Sequence, residues 1–164
     1  MIGCKFSKIC LSSKYKSTKV CDSYLCCMNH WLIKSEPFKY SWTQFVKDGS
    51  TFWDGVRNYQ ARNNLREMKV GDLCLFYHSN EGKEVVGIAK VKRSHYQDPT
   101  TDNEQWLCVD VEPFQALNRP VSLTEMKSDT RLAQMALIKQ SRLSVCPVSR
   151  AEFDAILQLA NEVA

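Results

Sequence analysis

Eleven consecutive residues, Trp53-Asp-Gly-Val-Arg-Asn-Tyr-Gln-Ala-Arg-Asn63, hold an unusual share of the chemistry-bearing side chains in this chain. Trp53 offers a stacking face, Asn58 an amide suited to a hydrogen-bonding edge, and Arg57 and Arg62 planar forks that fit phosphate. Together these are the parts of a pocket for a flat, polar ligand. Tyr77-His78-Ser79 adds three different hydrogen-bonding groups at the end of an alternating segment. Each residue also has a plain structural use. Asn58 can cap a helix, Tyr77 shares a strand face with Leu73 and Leu75, and Arg62 and Arg66 are spaced as on a solvated helical stripe.

Catalytic signatures are sparse. The chain has no glycine-rich phosphate loop, no His-Glu-x-x-His and no Gly-x-Ser-x-Gly. Its histidines are His30, His78 and His95, each near a strand, where a structural role is the commoner one. Cys21, Cys26 and His30 have loosely zinc-like spacing, but no second pair completes a tetrahedral set. Neither a metal nor a cofactor is therefore expected. Cys74, Cys108 and Cys146 lie in apolar, strand-like contexts and read as reduced core residues.

Charge is unevenly distributed. Residues 1–27 carry five lysines against Asp22, so the remainder holds 17 of the 22 basic and 17 of the 18 acidic residues. A neutral body must hold nucleic acid through a local patch, not a global positive field. No apolar run approaches the roughly 18 residues of a membrane span. Residues 1–27 also hold five cysteines and no uninterrupted apolar core, and read as a disordered extension or as sequence upstream of a start at Met28. Residues 28–164 then form one domain. The expected compartment is intracellular: cytoplasm in a bacterium, nucleus in a eukaryote.

The elements that must position these groups follow from local signals. His30 to Lys34 reads as a short strand, and Ser41-Trp-Thr-Gln44 as a capping box before a helix stopped by Gly49. Trp53 to Val56 reads as loop. Asn58 opens a helix whose Ala61, Leu65 and Met68 share a face, closed by Gly71. Strands are predicted over Asp72–His78, Val85–Arg93, Trp106–Val111 and Leu143–Val148, the last at an edge because of Pro147. Capping boxes at Ser122 and Ser149 open two more helices. Strands in the middle with helices at both ends argue a mixed α+β domain around a largely antiparallel sheet or small barrel.

Three ordered motifs carry a further reading. The Trp53–Asn63 segment, preceded by Trp31-Leu-Ile-Lys-Ser-Glu-Pro37 and followed by Phe76-Tyr-His-Ser79, resembles the EVE domain family. Arg142-Leu-Ser-Val and Pro147-Val-Ser extend the likeness, which runs from about Met28 to the C-terminus and leaves out residues 1–27. The resemblance implies a PUA-like pseudobarrel of mostly antiparallel strands flanked by short helices, related to YTH and ASCH domains. It also implies a non-enzymatic nucleic-acid-binding module whose partner is DNA carrying a modified base, most often a modified cytosine. No membrane and no particular protein partner is implied.

Carried over by motif, the base pocket would be Ser35, Trp53, Val56, Asn58, Tyr77, His78 and Ser79, with Lys34, Glu36, Arg57 and Arg62 as phosphate or polar contacts. Trp53 and Tyr77 would sandwich the base, Ser35, Asn58 and Ser79 would read its edge, and Lys34, Arg57 and Arg62 would anchor phosphates. Two rival readings use the same pocket. One is a nucleic-acid-processing enzyme of ASCH type, with Lys34, Tyr77 and His78 as acid–base groups. The other is a small-metabolite binder.

Overall fold

The computed structural model describes residues 28–162. The expectations for residues 1–27, including Cys21 and Cys26, fall outside the described residues. Six strands form one sheet in the order β2-β5-β4-β3-β1-β6. They are β1 (His30–Ser35), β2 (Thr51–Phe52), β3 (Leu73–His78), β4 (Glu84–Gln97), β5 (Leu107–Ser122) and β6 (Val145–Val148). Only β1 and β3 pair in parallel; β3–β4, β4–β5, β2–β5 and β1–β6 are antiparallel. Five helices decorate the sheet: α1 (Trp42–Asp48), α2 (Tyr59–Glu67), α3 (Leu123–Ser128), α4 (Ala136–Lys139) and α5 (Arg150–Asn161). This is a mixed α+β fold of PUA-like type, with the short helices flanking a mainly antiparallel sheet.

Bulges bend the long strands. Register shifts interrupt β4–β5 at several points, and each adds twist and turns the sheet on itself. Helix α2 then spans the opening, touching β6 near one end of the sheet and β5 and β4 toward the other. Asn64 ties that closure, its Nδ2 donating to the Val145 carbonyl at 2.7 Å. The interior is one apolar cluster that includes Leu32, Phe45, Leu75, Phe76, Val111 and Ile156. Cys74, Cys108 and Cys146 are buried free thiols, as their contexts predict. The hydrophobic face of β4 places Ala89 and Val91 inside, as the alternation requires.

Capping residues behave as the sequence indicates, with one correction. Asn58, Ser122 and Ser149 accept hydrogen bonds from the backbones of Ala61, Glu125 and Glu152, the last two as full capping boxes. Ser41 caps α1 through the Gln44 N–H, but Gln44 does not return the bond; its Nε2 donates to Asp48 at 2.6 Å instead. Several element boundaries move as well, most by one or two residues. Helix α2 ends at Glu67, and Gly71, at φ 97°, makes the following turn. Strand β4 runs on to Gln97. Strand β5 runs to Ser122, past the predicted end at Val111 and straight through Pro113 and Pro120. Both prolines sit where the β4–β5 register shifts, so neither breaks a regular ladder of hydrogen bonds.

Candidate functional site

A hollow of about 590 Å³ lies where the C-terminal ends of the parallel pair β1 and β3 meet the loop after β2. That volume falls within the roughly 300–1,000 Å³ of small-ligand pockets. Lys34, Ser35 and Glu36 come from the end of β1, Ser79 and Asn80 from the turn after β3, and Trp53 to Val56 from the loop. Parallel pairing explains the first juxtaposition: Ser35 lies opposite His78, and the Ser35 carbonyl accepts both the Ser79 N–H at 2.7 Å and its hydroxyl at 3.1 Å.

Trp53 is seated from behind. Its N–H donates to the Val109 carbonyl at 2.7 Å, extending the β2–β5 pairing by one residue. Its ring meets Phe76 edge-on at 5.6 Å, and Phe76 in turn stacks on Phe45 at 5.3 Å. Only 8% of Trp53 stays exposed, and it lines the hollow. The indole is thus a wall backed by core, with little freedom left to lose on binding.

The loop that carries Trp53 is pinned by one buried carboxylate. Asp98 is fully buried and accepts from the Gly55 N–H at 3.0 Å, from Arg57 at 2.6 Å, and from the Thr100 N–H and hydroxyl. Burial alone would push its pKa up. Hydrogen bonds from Thr100, Arg57 and Gly55 outweigh that and hold it at about 2. Gly55 adopts φ 70°, the left-handed region that a glycine enters at little cost.

Lys34 reaches across the hollow to the segment between α4 and β6, its Nζ donating to the Ser141 carbonyl at 2.9 Å. Half-burial lowers its pKa from the usual lysine value. Ser35 donates to the Tyr40 carbonyl at 2.6 Å, and Glu36 accepts from Asn80 and pairs with Lys39.

Six of the sequence-derived candidates therefore meet in one place: Lys34, Ser35, Glu36, Trp53, Val56 and Ser79. Five do not line the hollow. Tyr77 is 4% exposed and belongs to the core, and it does not share the lining of the hollow with Trp53. His78 accepts the Trp42 N–H through Nε2 at 3.1 Å, supporting the first turn of α1. Asn58 spends its Oδ1 on the Ala61 N–H. Arg57 turns to Asp98 and Thr100, and Arg62 to Asn63 and the Gln105 carbonyl, both leaning on the Tyr59–Trp106 pair.

The hollow also contains residues that the motifs did not single out. Phe52, 46% exposed, and Tyr40 supply further aromatic surface, and Ser141, Arg142 and Ser144 close the far side. Arg142 is visible in the sequence only as part of a terminal motif; β1–β6 pairing and the Lys34 N–H to Ser144 carbonyl bond bring that segment to the hollow. Of Lys34, Tyr77 and His78, only Lys34 lines the hollow. The described residues contain no His, Cys, Asp and Glu cluster fit for a metal, and no helix long and apolar enough to cross a membrane.

Comparison with known proteins covers nearly all of the described residues. Residues 29–159 match the EVE domain. Human thymocyte nuclear protein 1 is 35% identical over 91% of this chain and 80% of its own length. Among solved structures, a protein from Agrobacterium tumefaciens superposes with a TM-score of 0.80 at 45% identity, covering 81% of this chain and 93% of the other. Human thymocyte nuclear protein 1, solved in complex with DNA containing 5-methylcytosine, superposes with a TM-score of 0.71 at 34% identity, covering 83% and 99%.

Proposed function

The chain belongs to the EVE domain family, and from that premise we propose that it is a non-enzymatic reader of modified bases in DNA, with 5-methylcytosine the base its pocket takes. The observation that carries this reading is the placement of Trp53, rigidly backed by Phe76, in the same hollow as Lys34, Ser35 and Ser79. An indole wall stacks a base, and the serines and the ammonium meet its polar edge. The DNA complex of the human relative supports DNA as the polymer. Tyr77 and His78 lie outside the lining of the hollow, and His78 is engaged by the Trp42 N–H, which supports binding over hydrolysis, because an acid–base pair must reach the same bond. The name of the human relative is that of a nuclear protein, and a compartment that holds DNA is where such a reader would act.

Binding would require the base to leave its stack, at a few kcal/mol. Stacking on Trp53, worth about 1–3 kcal/mol, and edge hydrogen bonds would offset that cost. Fluorescence-anisotropy titration of a 5-methylcytosine oligonucleotide tests the assignment. Trp53→Ala should weaken binding by about 10- to 100-fold, with circular dichroism used to check that the variant is folded. An unchanged affinity in a folded Trp53→Ala protein would remove the pocket from the account.

A further inference from the structure

The base pocket opens sideways. A second hollow of about 350 Å³ shares Ser141 and Arg142 with it, and Asn58, Gln60, Lys139 and Gln140 supply most of the remaining wall. Its chemistry is one-sided: an ammonium, a guanidinium and three side-chain amides, with no carboxylate in the lining. Other cations near by are spent. Arg57 pairs with Asp98 and Lys39 with Glu36, whereas neither Arg142 nor Lys139 pairs with an acidic group among the described residues. Lys139 contacts only the neutral amide oxygen of Gln134. With its Oδ1 committed to the α2 cap, Asn58 retains its amide N–H groups as donors.

This surplus of donors is held in place. Lys34 fixes the Ser141 carbonyl and the Ser144 carbonyl, the Leu143 N–H bonds to the Gln140 carbonyl at 3.0 Å, and Leu143 is buried. The segment joining the two hollows is therefore anchored on both sides of Arg142. Where the body as a whole is neutral, an unpaired pair of cations beside an aromatic pocket fits an anionic, acceptor-only group.

We propose that the second hollow is a nucleotide subsite: it takes the phosphodiester adjoining the nucleotide whose base enters the Trp53 pocket. Arg142 stands between the two hollows and Lys139 contacts the phosphate beyond it. The inference rests on the base-reading assignment above and deepens it. A phosphate contact positions the strand and carries no sequence information. Its loss therefore weakens modified and unmodified DNA alike and leaves their ratio intact.

The test uses single-stranded oligonucleotides with one central cytosine or 5-methylcytosine, and the free 5-methyl-2′-deoxycytidine nucleoside, titrated over a salt series. Lys139→Gln and Lys139→Glu should weaken both oligonucleotides equally, by about 3- to 10-fold for the neutral variant and more for the reversed charge. The slope of log affinity against log salt should shrink by about 0.7–1. An unchanged oligonucleotide affinity and slope would overturn the subsite. So would an equal loss of nucleoside affinity, which would mean that Lys139 acts by shaping the base pocket. A wild-type protein that binds neither methylated probe would instead overturn the base-reading assignment, and the subsite with it.

Discussion

Asp98 is the residue on which the site geometry most depends, because one buried carboxylate holds Gly55, Arg57 and Thr100 together. Stranding a buried charge by removing its partner costs about 3–5 kcal/mol. Here the stranded cation would be Arg57, 40% exposed and able to regain water, so Asp98→Asn should cost less, about 1–3 kcal/mol in urea denaturation. The pH dependence has a definite sign. A carboxyl held at about 2 against an ordinary 3.8 contributes stability that is complete above the ordinary value and lost as pH falls toward 2. Asp98→Asn should therefore flatten the acid limb of the stability curve below about pH 4. A mutant as acid-sensitive as the wild type would show that other carboxylates control that limb.

At the scale of elements, two contacts explain why α1 sits where it does. Trp42 lies directly over Gly87 of β4, where a Cβ would come within 2.4 Å of the indole ring. Gly87→Ala should destabilise the fold by about 1–3 kcal/mol through overpacking. Adding Trp42→Phe should recover part of that loss in a double-mutant cycle, whereas strict additivity would show that the two residues do not meet. His78 provides the second contact, accepting the Trp42 N–H, which only a neutral imidazole nitrogen can do. Burial lowers its pKa from 6.5, partly opposed by Glu84, and burial likewise lowers His30, with Arg150 adding to the effect. A depressed histidine gives stability that is full above about 6.5 and lost as pH falls through the folded value. The melting temperature should drop between pH 7.5 and 5.5, and His78→Asn should reduce the drop. The caps at Asn58, Ser122 and Ser149 were legible because donor and acceptor lie three residues apart. Strand β5 was not, since its prolines are tolerated only by bulges against β4, and those depend on a partner strand distant in sequence.

For the molecule as a whole, the chain writes its pocket in pieces that only the sheet brings together. Lys34-Ser35-Glu36, the Trp53 loop and Ser79 were recognisable as motifs, and parallel β1–β3 pairing together with the β2–β5 edge assembles them. Lys34, Ser35 and Glu36 all reach the hollow because they lie at the end of β1, whereas Tyr77, still inside β3, is buried in the core, so the end of a strand and not the motif alone decides which residues reach a site. Ser141 and Arg142 reach it through β1–β6 pairing, a long-range fact with no local signature. Because residues 28–164 carry 17 charges of each sign, binding must come from this assembled surface and not from a general field. Placing a mismatch opposite the modified cytosine in a duplex lowers the cost of unstacking and should tighten binding. The most direct measurement is the affinity for matched oligonucleotides that differ in one cytosine methyl group. A pocket that receives that methyl group should prefer 5-methylcytosine by about 5- to 150-fold, the 1–3 kcal/mol such a contact supplies. Equal affinity for cytosine and 5-methylcytosine would contradict the account.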